Sequence, residues 1–237
     1  MLMWLRMRVK LLNFWIKKYG FLELTKLAGV RAWRTCFNFE EVLFIIHSSN
    51  VHNKTFKHVE HITVDPYLTE ENIPEADLDV MATYKGGRTA LHFLLDKFFK
   101  KGAVFWLARV KGVPAGYHWS IEGGLDGFDS FPISTSDCVL FASEVYPEFR
   151  GQGVNSATIQ KILMDLKEKV RGNFYITCYV WNKANLRSIP KTCFEEFATS
   201  RRVRILGYHI GIWKLKQFDH SEKKRAITNL AYKNKLK

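Results

Sequence analysis

The sequence predicts an α+β domain: one mixed, mostly antiparallel sheet with helices packed against it. Three observations predict it. Short apolar runs and helical patterns follow one another in the order β-α-α-β-β-β-α-β-α-β, with no internal repeat. The 237 residues are 47% hydrophobic and 25% charged, a globular balance that excludes disorder, collagen and coiled coil as the main description. Eighteen Phe, nine Tyr and seven Trp fill a core without a disulfide or a metal.

The elements follow in order. Glu41–His47 is a short apolar run read as a strand, and Lys57–Val64 alternates until Asp65-Pro66 turns the chain. Thr69-Glu70-Glu71-Asn72 opens a helical stretch, and Arg88–Lys100 places Leu91, Leu94, Leu95 and Phe98 at helical spacing. Ala103–Val110 and Pro114–Ile121 read as strands joined by Lys111-Gly112-Val113. The Gly- and Asp-rich loop Glu122–Ser136 leads to the strand Cys138–Val145. A helix then runs from about Asn155 to Val170, followed by a strand at Phe174–Trp181, a helix over Asn185–Phe197 despite Pro190, and the last strands in Val203–Leu215.

The formal charge of +13 is uneven. Residues 1–34 carry eight bases and one acid, residues 201–237 eleven bases and two acids, and the middle 17 bases and 20 acids. Three parts follow: a basic amphipathic helical extension (1–35), a central body (36–215) and a basic tail (216–237). In the extension, Arg6, Lys10, Asn13 and Lys17 form a stripe opposite Trp4, Leu11 and Trp15. No run reaches the length of a membrane span, and no cleavage site follows. Two readings stay open: a helix in an anionic membrane interface, or one packed on its own domain or a partner. A nucleic-acid partner is not expected, because no recognised motif is present and the central body is acidic. Four scattered cysteines without a CxxC pair, and histidines without ligand spacing, point to a reduced, cytoplasmic protein with no metal.

The chemistry is concentrated in Val145-Tyr146-Pro147-Glu148-Phe149-Arg150-Gly151-Gln152-Gly153-Val154. A strand ends, a glycine turn follows and a helix starts. Its first amides lack partners and its dipole favours anions, so with Arg150 alongside the turn suits a pyrophosphate. The Rossmann and P-loop patterns do not fit, since only Gly151 and Gly153 are present and no GK[ST] follows. An ordinary strand-to-helix turn is the plain alternative.

The whole segment resembles the pyrophosphate loop of the GNAT superfamily of acyl-CoA N-acyltransferases, V-x-P-E-x-R-G-x-G-[IV]-[GA]. It matches at Val145, Pro147, Glu148, Arg150, Gly151, Gly153 and Val154, with Asn155 at the last small position. Asn185, Ser188 and Phe197 stand at the spacings of a second family segment; Glu196 replaces its Gly and Thr192 its Tyr. The resemblance covers about 160 residues. It implies the GNAT fold, acetyl-CoA or another acyl-CoA as cosubstrate, and transfer of a short acyl group to a primary amine.

The resemblance also implies roles. The site would be Val145 (its amide on the thioester oxygen), Phe149, Arg150, Gly151, Gln152, Gly153, Val154 and Asn155, with Asn185 and Ser188. A proton acceptor is needed as well. Glu144 is the first candidate, with a solvent-facing strand residue as its plain reading, and His118 is the second. With Thr192 at the usual Tyr position, Cys193, Tyr179, Tyr175 or water are left to protonate the thiolate. The acceptor is expected to be a small or carrier-linked amine, such as an amino sugar of surface polysaccharide synthesis. Residues 1–34 would place the protein on the inner membrane face, and a homodimer is left open. The competing expectation is a non-catalytic GNAT-like domain that binds CoA or a partner.

Overall fold

The computed structural model describes residues 39–51, 61–123, 133–205 and 208–215. Its strands are β1 (Phe39–His47), β2 (Ile62–Tyr67), β3 (Val104–Val110), β4 (Val113–Glu122), β5 (Cys138–Val145), β6 (Asn173–Tyr179), β7 (Glu195–Ile205) and β8 (Tyr208–Leu215). Its α-helices are α1 (Glu75–Lys85), α2 (Arg88–Phe99), α3 (Val154–Leu166) and α4 (Lys183–Ser188). They form the mixed, helix-flanked sheet that the sequence predicts. The predicted extension (1–35) and tail (216–237), and residues 124–132 of the Glu122–Ser136 loop, lie outside the described residues. No described helix is long and apolar enough to cross a membrane.

The sheet order is β2-β3-β4-β5-β6-β1-β7-β8. Every pairing is antiparallel except β5 with β6. Strand alternation sends Trp106, Ala108, Leu140, Phe174 and Ile176 to one face, where α3 adds Ile159, Ile162 and Leu163. Phe105, Leu107, Trp119 and Val139 go to the other, under Met81 of α1 and Leu91 and Leu95 of α2. Both faces are thus covered, and the middle of β4 is buried throughout.

Two sequence-based boundaries move. Pro66 sits inside β2 rather than ending it; β2 is an edge strand, where a missing N–H costs no ladder bond. The helix predicted over Asn185–Phe197 stops at Ser188: a short 3-10 turn takes Ile189–Lys191, and Glu195–Phe197 already belong to β7. Pro190 cannot continue the hydrogen-bond ladder, and the pairing of Glu195 and Glu196 with β1 takes over. In the sheet, β1 enters between β6 and β7, far from its chain neighbour β2.

Asp137 fixes the start of the parallel pair. Its carboxylate is buried and accepts N–H bonds from Asn173 and Ser134, both 2.8 Å. Gly172 makes room: a Cβ there would run into the Asp137 carboxylate and come within 2.9 Å of the Ser136 carbonyl. Asp137→Ala leaves two amides unsatisfied and is expected to cost about 2–3 kcal/mol in denaturant unfolding. A change below about 0.5 kcal/mol would show that the clamp is dispensable.

Candidate functional site

β5 and β6 pair only at Cys138–Phe174, Val139–Tyr175 and Leu140–Ile176, then part. The cause lies in β5. Ala142 has φ 46°, and the register with β4 shifts there, so two residues of β5 oppose His118 alone. Such a bulge twists its strand away from the neighbour. Further along, the Tyr146 N–H donates to the Ala115 carbonyl at 2.9 Å, pointing toward β4. By alternation, the Val145 N–H and carbonyl point the other way, into the gap. Arg150 Nε donates to that carbonyl at 3.2 Å.

The chain then makes a 3-10 turn, Pro147–Phe149, before α3. Phe149 N–H bonds the Tyr146 carbonyl at 3.0 Å, and Arg150 N–H bonds that of Pro147 at 3.3 Å. These two amides are therefore spent inside the protein, contrary to the role the resemblance implies for them. The free run is Gly151–Ser156: the first backbone bond of α3 is Ala157 N–H to the Gly153 carbonyl, and no side chain caps the helix. Gly151 and Gly153 have φ near 80°, which turns the chain so that successive amides face outward. They border a cleft of about 1500 Å³, lined also by Ile62–Asp65, Ser143–Val145 and residues of the segment 181–191.

Under the cleft a polar chain fixes α4 to α3. Asn155 Nδ2 donates to Ser188 Oγ at 2.6 Å, leaving Oδ1 to accept from His118 Nε2 at 2.6 Å. The Ser188 hydroxyl donates on to the Asn185 carbonyl at 3.1 Å. Asn155, Asn185 and Ser188 are thus brought together at the cleft with Arg150, Gly151, Gln152, Gly153 and Val154. Asn182, which the sequence reading missed, lines it too and caps α4 by accepting from Asn185 N–H; an Asn before a helix is a signal that could have found it.

His118 is fully buried, with Nδ1 unpartnered, and burial pushes its pKa down to about 4. It holds Asn155 rather than meeting the cleft. The sign follows: between pH 6.5 and about 4 the unfolded chain binds a proton that the folded one refuses. Stability present above pH 6.5 is lost as pH falls through this window, by about 3 kcal/mol in all. His118→Gln is expected to flatten that part of a plot of stability against pH, and an unchanged slope would exclude His118 as its source.

Glu144 lies on the α1 side of β5. Its Oε2 contacts Lys85 Nζ and accepts from the Tyr117 hydroxyl at 3.1 Å, and its side chain is 35% exposed. Burial first, then Glu144, pushes the Tyr117 phenol well up, so it stays protonated. Tyr146 is buried beside it and stacks on Tyr84 at 3.9 Å, while Tyr84 donates to Glu148 at 3.1 Å. Neither Lys85 nor Tyr117 carries a sequence signal; both reach Glu144 from distant segments.

Thr192 is buried, and its hydroxyl donates to the Ile189 carbonyl at 2.5 Å, away from the cleft. Cys193 and Tyr175 are buried as well. Tyr179 stands at the open end of β6, stacked on exposed Trp181. Burial pushes the Cys138 and Cys178 thiols up to about 12, so neither offers a thiolate.

No protein-family model matches the chain, and no curated protein matches it. Among solved structures it is similar to an acetyltransferase from the GNAT family of Colwellia psychrerythraea, at 13% identity and a TM-score of 0.47, covering 76% of this chain and 56% of that one. It is similar to a tandem GNAT protein from the clavulanic acid biosynthesis pathway at 12% identity and 0.47, covering 81% and 59%. An aminoglycoside acetyltransferase from an uncultured soil metagenomic sample gives 12% and 0.41, covering 56% and 88%. The chain spans under two thirds of the length of the first two. All three scores lie below 0.5, so what the site can do follows from its own residues.

Proposed function

We propose that this chain is a GNAT-type acyltransferase that moves an acetyl or other short acyl group from CoA to a primary amine. One observation carries the reading: two parallel strands part beside a run of outward-facing amides with Arg150 at its edge. The free amides from Gly151 to Ser156 and the positive end of α3 would hold a pyrophosphate. The open edge of β5 offers backbone groups to an extended amide-bearing arm. Acyl-CoA, bound there, supplies an acyl group already activated as a thioester. The Val145 N–H is aimed into the gap, where it can donate to an oxygen gaining charge. Glu144, one residue earlier and on the other face of the strand, can take a proton from an amine arriving on the α1 side. His118 serves as a positioning residue through Asn155.

The acceptor favoured is an amine on a sugar or carrier. The stacked Tyr179–Trp181 pair at the open end of β6 offers a flat apolar surface of the kind sugar rings pack on. Because β1 is antiparallel to β6, the chain enters β1 at that same end. The basic charge of segment 1–34 supports work at an anionic inner-membrane surface. Full-length protein is expected to sediment with anionic vesicles and not with neutral ones.

The decisive assay measures thiol release from acetyl-CoA over a panel of amines, beside calorimetric CoA binding. Binding with release is the expected result. Binding without release from any amine favours the non-catalytic domain, a reading to which buried Thr192 gives weight. No CoA binding ends both.

A further inference from the structure

Lys85 ends α1, where Gly86 and Gly87, at φ 83° and 106°, turn the chain into α2. Its side chain is only 16% exposed. Nζ contacts Glu144 Oε2, donates to the Tyr117 hydroxyl at 2.6 Å and lies 4.7 Å from the centre of the Tyr117 ring. A primary amine is thus already in contact with the carboxylate that would accept a proton from the attacking amine. That carboxylate adjoins the residue whose N–H faces the gap between β5 and β6. The ion pair of Lys100 with Asp96 lies on an exposed helix surface away from the cleft and has no such setting.

We propose that Lys85 is itself an acyl acceptor, modified in cis through Glu144, which lines the cleft and which its Nζ contacts; the proposal rests on the acyl-transfer reading above. The Lys85 ammonium gives one proton to Glu144, and the freed Nζ attacks the thioester carbonyl carbon. An N–C bond forms and the C–S bond breaks. The second nitrogen proton goes to the leaving thiolate, and Glu144 returns its proton to solvent. The balance is one ammonium and one acyl-CoA giving one amide, one CoA thiol and one proton. The amide carries no charge, so the modification removes the cation beside Glu144 and leaves the carboxylate open to an external amine.

The test is peptide mass spectrometry of full-length protein incubated with isotopically labelled acetyl-CoA and no added amine. The expected result is one labelled acetyl group on the peptide holding Lys85, formed well ahead of label on exposed Lys100. It should be accompanied by a single equivalent of free thiol. Glu144→Gln should slow Lys85 labelling by roughly 10²-fold or more. Lys85→Arg keeps the cation, lacks the nucleophile, and should abolish both the label and the thiol burst. Label on Lys85 no faster than on Lys100, or unchanged in Glu144→Gln, overturns the proposal. So does thiol release to an external amine with Lys85 unlabelled, which leaves the acyltransferase reading standing. Absence of CoA binding instead removes that reading, and this proposal with it.

Discussion

Gly116→Ala is expected to abolish CoA binding and thiol release together and to lower the thermal midpoint by several degrees. Gly116 sits on β4 opposite Val145, next to the Ala115–Tyr146 backbone bond. A Cβ there would stand 2.5 Å from the Glu144 carbonyl oxygen and 3.0 Å from the Val145 Cα. Both are backbone atoms of a paired strand, so no rotamer change relieves the clash. The two strands must separate where the bulge begins, and the Val145 amide loses its aim into the gap. Overpacking of this kind costs roughly 2–4 kcal/mol. In a chain of this length each kcal/mol shifts the midpoint by about 2–4 °C. Gly112→Ala is the control: its Cβ meets nothing within 4 Å, so only the strain of φ 80° is added. A Gly116→Ala protein with the parent's midpoint and thiol release would show that the β4–β5 contact does not set the site.

The strand-to-helix glycine turn was legible because its parts are local. Glycines, Arg150 and the helix start lie within a few residues, and the structure leaves the amides from Gly151 onward free. What failed there was finer: nothing in the letters shows that the 3-10 turn at Pro147 consumes the Phe149 and Arg150 amides. Most strands were legible from apolar runs, with boundaries off by a few residues. The helix predicted across Pro190 failed because Leu186, Ile189 and Phe197 keep a helical rhythm while Phe197 is recruited by a strand. The bulge was invisible, since alanine gives no hint of a positive φ at position 142. Lys85 and Tyr117 were invisible for a different reason. They meet Glu144 from 59 and 27 residues away, a distance that only the sheet order closes. The placement of β1 between β6 and β7 belongs to the same class: pairing partners so far apart leave no local trace.

Glu144→Gln should lower the rate of acyl transfer by roughly 10²–10⁴-fold while leaving CoA affinity within a factor of about two. Gln keeps the length and one carbonyl oxygen of the side chain, so it can still accept from Tyr117 or Lys85; it cannot take a proton. The affinity is spared because Glu144 faces α1, whereas the amides that would hold the pyrophosphate lie on the α3 turn. Stability should also change little. The side chain is 35% exposed, and Gln keeps an acceptor oxygen for half-buried Lys85 and for Tyr117, so loss of the charge is expected to cost about 1 kcal/mol. A fall in rate without a fall in midpoint therefore reports proton transfer and not unfolding. Asn155→Ala makes the opposite split, since it cuts the link from α3 to Ser188 and His118 and should raise the KM for acyl-CoA more than it lowers kcat. If Glu144→Gln turned over within about threefold of the parent, the proton would have to leave through water or another group. The Lys85–Glu144–Tyr117 cluster would then be a brace between α1 and the sheet.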